Sequence, residues 1–281
     1  MIRKLRDAAI WQTQKAYSAV RQFPVRFTAW SAFHRQVRSY QLLTEDELRT
    51  TRKSDTVFIF GSGASLNDIS PEEWRVIEAH DTMGFNWFVH QTFVRCDYHL
   101  MREVGPSDLY EAGWRPQLME FFRIARTNPR FADTIFLLQT GFRATNGNRA
   151  IGLGLAPRDR RIFLWRSIVG ASKPSLSLRA GLAHGQGTLN ECVNFAFLLG
   201  WRRIVLAGVD LYDRRYFWLD RDEPRPDDPV RDVNVPHKTS SDIVAGLGKW
   251  RAILEERGVS LFVYNPRSLL RESLPLWSPA A

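Results

Sequence analysis

The residues TVFIF, 56–60, are a short apolar run closed by Gly61-Ser62-Gly63, and similar runs recur at 83–86, 98–101, 134–138, 204–207 and 259–264. A run of this length reads as a strand covered on both faces. Helical stretches lie between the runs. Ser70-Pro71-Glu72-Glu73 is a capping box with proline at the first helical position, opening a helix through about Ala79. A longer helix is predicted over 107–126. Thr188 is expected to cap a helix over 189–199 that stops at Gly200, and a last helix over 241–257 ends at Gly258. The stretch 140–180 carries no clear pattern. Alternation of this kind is the signature of βαβ units, so the predicted fold is α/β with a Rossmann-like parallel sheet.

The 281 residues, 44 % of them hydrophobic, can supply a sizeable core. Cys96 and Cys192 match neither a zinc pattern nor a disulfide framework, which suits a reducing compartment. No stretch reaches the roughly 18 continuous apolar residues of a spanning helix, and no apolar signal-peptide core opens the chain. We therefore expect a cytoplasmic protein, soluble or peripheral at the inner membrane.

Residues 1–40 carry eight Lys or Arg against Asp7 alone, which is +7 of the total +9. Residues 1–45 are expected to form a basic amphipathic helical segment, with 46–281 as the Rossmann-like domain. Ile2, Leu5, Ala9, Ala16 and Val20 fall near one helical face, followed by Phe23, Phe27, Trp30 and Phe33 among the arginines. Such a helix suits an anionic membrane surface, or packs on the domain or on a sister subunit in a homo-oligomer. Nucleic acid is disfavoured as a partner, because the remaining chain is nearly charge-balanced and shows no recognition motif.

In an open α/β sheet, ligands bind at the carboxyl ends of strands, where glycines let backbone N–H groups approach a phosphate or ribose. Gly61-Ser62-Gly63-Ala64-Ser65 is such an end. It is not the dinucleotide fingerprint, since Leu66 stands where a third glycine would be, and no P-loop Gly-Lys follows. Asn86, ending the next strand, offers an amide for base or ribose recognition, or is an ordinary turn residue. Asp210 follows the run IVLAG and either binds ribose hydroxyls, orients a neighbour, or is a solvated loop carboxylate. Tyr212 and Tyr216 could donate hydrogen bonds to a leaving phosphate, or simply pack. His237 is a candidate general base and Thr188 a candidate anion site at a helix N-terminus. Between Asp210 and His237 runs DRDEPRPDDPVRDVNVP, 220–236, too poor in apolar residues to bury itself, which reads as a mobile loop or lid.

The order GSGASL, Asn86, LGWRRIVLAGVDLY, His237 with Asp242 before a helix, and YNPRSLL resembles the bacterial CMP-sialic acid-dependent sialyltransferases of the lipooligosaccharide type, over roughly 56–270. The resemblance implies a GT-A-like, metal-independent glycosyltransferase that transfers sugar with inversion from a CMP donor to a surface glycan of the lipopolysaccharide or capsule kind. It would place Gly61, Ser62, Gly63, Ser65, Asn86, Thr188, Gly208 and Asp210 around the CMP-sugar and Tyr212 and Tyr216 on the departing phosphate. His237 would be the base, and about 217–236 the lid. Two departures stand out. Ser62 replaces an asparagine, and HGQGTL, 184–189, replaces the family's Arg-x-Thr-Ser-Gly, which leaves the donor open between sialic acid and another keto acid such as Kdo. Three alternatives remain at this stage: a metal-dependent transferase using Asp220-Arg221-Asp222, a pterin diphosphokinase-like enzyme, and a non-enzymatic adaptor that docks partners through its basic N-terminus.

Overall fold

The computed structural model describes residues 23–102, 104, 114–141, 145–224, 232–236 and 239–279. Its frame is an eight-stranded sheet in which every pairing is parallel. The strands are β1 (Gln41–Leu42), β2 (Thr56–Phe60), β3 (Asp81–Phe85), β4 (Tyr98–Met101), β5 (Ile135–Gln139), β6 (Arg161–Trp165), β9 (Arg203–Ala207) and β10 (Ser260–Val263). A small separate pair joins β7 (Ser167–Ile168) to β8 (Leu182–Ala183). The α/β class expected from the sequence is the one observed.

Side chains alternate across each strand, so one apolar run feeds two cores. Val57 and Ile59 face a core completed by α6 (Thr188–Leu199) and α7 (Ser240–Glu255). Phe58 and Phe60 face a second core with α3 (Pro71–Glu78), α4 (Trp114–Thr127) and α5 (Asn146–Gly152). Residues 23–36 form a helix, here α1, whose Phe33 is buried in the second core together with Tyr40. Most of the basic N-terminal segment, 1–22, lies outside the described residues. Among the described residues, no helix is long and apolar enough to cross a membrane.

Several predicted elements are found with small changes of boundary. The capping box opens α3, with Ser70 Oγ accepting from Glu73 N and the Glu73 carboxylate accepting from Ser70 N, a pairing that lowers the Glu73 pKa. The 140–180 stretch turns out to hold α5, β6 and β7, and the short α2 (Glu45–Arg49), capped by Thr44 and Glu47, was also not foreseen. Thr188 is not the cap of α6. Gly187 takes that position with an extended φ of 158°, and Thr188 becomes the first helical residue. A cap must leave helical geometry, and the glycine does so at no steric cost.

The spatial order is β1-β6-β5-β4-β3-β2-β9-β10. Strands from β2 to β6 step one way, and β9 and β10 flank β2 on the other side. The order therefore reverses at β2, and a crevice opens outside the carboxyl ends of β2 and β9. At the opposite edge, the fully buried Asp81 holds the sheet's amino ends together. Its carboxylate accepts from Lys53 N, Ser54 N at 3.0 Å and Trp201 Nε1 at 2.8 Å. Replacing Asp81 by Ala orphans these donors, so Asp81→Ala should cost about 3 kcal/mol or more in urea unfolding. A loss under about 1 kcal/mol would show that other acceptors take over.

Candidate functional site

A cavity of about 280 Å³ occupies the crevice at the strand reversal. Its wall takes Gly61, Ser62 and Gly63 from the turn after β2, Asn86 from the end of β3, Gly208 and Asp210 from the turn after β9, Thr188 from the start of α6, and Tyr216. Eight candidates scattered over more than 150 residues of sequence thus share one wall.

The glycines are needed first by the protein's own backbone. A Cβ on Gly61 would lie 2.3 Å from the Gly208 carbonyl oxygen, and one on Gly63 would lie 2.3 Å from Asp210 Oδ2. The two turns are laced together by Gly61 N to Ala207 O and Gly63 N to Gly208 O, both 2.8 Å. Asp210 completes the lacing. It is 3 % exposed, and its carboxylate accepts from Ser65 Oγ at 2.5 Å, Ser65 N at 3.0 Å and Asn265 Nδ2 at 2.9 Å. Ser65 is buried behind the wall as this carboxylate's partner and does not line the cavity.

Asn86 adopts φ +47° and Leu211 φ +66°, the positive-φ non-glycine residues among those described, and both line the cavity. Such conformations persist where the surroundings enforce them. The Asn86 carbonyl lies 2.9 Å from His99 Nε2, and its side-chain oxygen accepts from Arg102 N at 3.1 Å. A carbonyl can only accept, so His99 carries its proton on Nε2. His99 is fully buried, and burial pushes its pKa down to about 3. The Arg102 guanidinium then reaches Glu191 at 2.5 Å, a fully buried carboxylate on α6 that also accepts from Ser167 Oγ at 2.6 Å. Asn86 and the start of α6 are in this way held by one arginine.

At the start of α6 the Thr188 hydroxyl is buried and has no hydrogen-bond partner, and the Gly187 cap supplies no side-chain acceptor. A helix N-terminus with an unfilled cap favours a negative group. Asp213, Arg214 and Arg215 also line the cavity, which sequence reasoning missed although they stand in the loop after AGVDLY. Asp213 clamps Arg215 through Nε at 2.6 Å and holds its pKa above the ordinary value. The Arg214 backbone N–H bonds the Val233 carbonyl at 2.8 Å, which brings these two residues together.

Tyr216 bridges Gly63 in an antiparallel contact, and Phe217 N donates to Ser62 O. Phe217 is buried against Phe88 and Phe93, which fixes the start of the expected lid over the glycine turn. Residues 225–231 of that lid lie outside the described residues. Tyr212 does not line the cavity; its phenol meets the Asn265 side chain, and burial together with the Asp210 carboxylate raises its pKa. His237 also lies outside the described residues, while Thr239, two residues on, lines the cavity. Asp220 and Asp222 are exposed, and among the described residues no three His, Cys, Asp or Glu side chains gather as a metal site.

No family model and no curated protein matches the sequence. Among solved structures, the chain is similar to a monofunctional α-2,3-sialyltransferase from Campylobacter jejuni, at 13 % identity over 84 % of this chain and 82 % of that one, with a TM-score of 0.46. It is also similar to the MAf glycosyltransferase of Magnetospirillum magneticum AMB-1, at 17 % identity over 91 % of this chain and a TM-score of 0.50. The matched region is 40 % of the Magnetospirillum protein's length. This second likeness shows a shared fold.

The His99 contact has a pH signature. The folded pKa of about 3 lies below the ordinary 6.5, so the native state binds fewer protons than the unfolded chain between those values. The stability from neutral His99 is complete above about pH 6.5 and drains as pH falls toward 3, by up to about 1.4 kcal/mol per pH unit. His99→Gln keeps a donor for the Asn86 carbonyl and does not titrate. Its stability should fall less steeply than the wild type's between pH 7 and 4; parallel profiles would contradict the assignment.

Proposed function

We propose that the chain is an inverting glycosyltransferase that takes its sugar from a CMP-activated keto-acid donor and passes it to a glycan acceptor. The observation that carries this reading is the convergence at the strand reversal. There a glycine turn, the Asn86 amide, the Thr188 helix start, Arg214, Arg215 and Tyr216 share one cavity. The helix N-terminus at Thr188 and the guanidinium groups of Arg214 and Arg215, the latter paired with Asp213, offer N–H groups to the phosphate and carboxylate of such a sugar donor. The motif order noted in the sequence supports CMP as the nucleotide.

In this reading the acceptor hydroxyl attacks the anomeric carbon while the bond from that carbon to the phosphate oxygen breaks, and CMP leaves with the electron pair. His237 takes the hydroxyl proton. Tyr216 donates a hydrogen bond to the departing phosphate. Tyr212, held by Asn265, acts from behind the wall by supporting Asp210. Asp210 in turn shapes the turns that the nucleotide touches.

Thermal shift of the full chain with CMP, CTP, UDP, GDP and ATP, each with magnesium and with EDTA, tests the donor. CMP at about 100 times its dissociation constant should stabilise by about 2.7 kcal/mol, a rise of several degrees, and keep that effect in EDTA. A shift seen only with UDP, GDP or ATP plus magnesium would overturn the CMP assignment. His237→Ala should lower kcat by at least about a hundredfold while CMP still binds; an unchanged kcat would remove His237 as the base.

A further inference from the structure

A second cavity, of about 920 Å³, opens at the carboxyl ends of β5 and β6, beneath α1. Three strand steps separate β6 from β3, so at ~4.8 Å per step this cavity stands roughly 14 Å along the sheet edge from the first. The proposed chemistry uses none of its residues.

Three features give it the character of a ligand site. Trp165 is 2 % exposed and forms part of the wall, yet its indole N–H is buried without an acceptor. Buried donors of this kind are nearly always paired in folded proteins. Trp30, half-buried on α1, adds an aromatic face held edge-on by His34 at 4.3 Å. At the rim, Arg166 and Arg179 are exposed, and neither guanidinium forms a hydrogen bond or ion pair among the described residues. The carboxylate among the described lining residues, Glu45, is already paired with Arg49 at 2.6 Å and does not neutralise them.

An aromatic wall, an unpaired indole N–H and two unpaired guanidinium groups match a pyranose ring that carries an oxyanion. The ring's C–H face packs on the indole, its oxygens accept from Trp165, and the acid group meets the arginines. We propose that this cavity binds an acidic saccharide, the distal part of the acceptor glycan whose reacting hydroxyl enters the first cavity. Its role as an acceptor subsite rests on the glycosyltransferase reading; the binding itself does not.

Calorimetric titration of the full chain separates the two. The probes are trigalacturonic acid, which carries carboxylates, maltose 1-phosphate, which carries a phosphate, and neutral maltotriose, with CMP titrated in parallel. At least one acidic probe should bind about tenfold or more tighter than maltotriose. Arg166→Gln combined with Arg179→Gln should erase that preference, and Trp165→Phe should weaken all saccharide binding about threefold or more, with CMP affinity unchanged in both variants. The relative affinity of the two acidic probes identifies the oxyanion. Equal affinity for acidic and neutral probes, no saccharide binding, or a preference that survives the double arginine substitution would overturn the proposal. The arginines are exposed, so their replacement leaves the fold intact and the result interpretable. Loss of CMP binding with saccharide binding retained would instead count against the donor assignment and leave this site standing.

Discussion

The Asp210 carboxylate lies where the chain leaves three neighbouring strands, and the cavity exists because it binds all three departures at once. It accepts from Ser65 after β2, belongs itself to the turn after β9, and accepts from Asn265 after β10. A buried carboxylate is costly unless its lone pairs are filled, and here they are filled by groups from two other turns. The arrangement demands bare backbone nearby, which is why Gly61 and Gly63 tolerate no Cβ. Once the turns are laced, their outer surface is left as the concave wall of the crevice. Of the roles the sequence leaves open for Asp210, the carboxylate takes that of orienting its neighbours, Ser65 and Asn265.

On that frame the remaining polar groups of the cavity are held in fixed relation. Arg102 ties Asn86 to the Glu191 carboxylate on α6, so the amide and the helix start keep a fixed relation. The Asn86 and Leu211 backbones hold strained conformations in the same wall, a cost that packing alone gives no reason to keep. Arg214 and Arg215 line the same cavity from a stretch held to Val233 and to the glycine turn. Two arginines, two aspartates and a helix N-terminus thus meet in one crevice at the sheet reversal.

Much of the frame is legible in the chain because β2, β4 and β9 are apolar runs flanked by clear turn signals. The missed elements lack such signals. β6 opens on the last arginine of Arg-Asp-Arg-Arg, 158–161, and β1 is only two residues long, so its strand character comes from pairing with β6. The candidate site was legible to the extent that its residues end strands. Arg214 and Arg215 reach the cavity through loop closure at Val233, a long-range contact with no local pattern. Thr188 was assigned the right place for the wrong local reason: the cap is Gly187, and the threonine hydroxyl is left without a partner. For Asp210 the alternatives stay open in sequence, because a strand-end carboxylate looks the same whether it faces ligand or backbone.

Hydrogen–deuterium exchange of the full chain with and without CMP measures the central claim at the residues concerned. Slowed exchange is expected in peptides covering 61–65, 186–190 and 208–216, with α1 and the second cavity unchanged. No protection in these three segments at saturating CMP, or protection confined to other parts of the sheet edge, would contradict it.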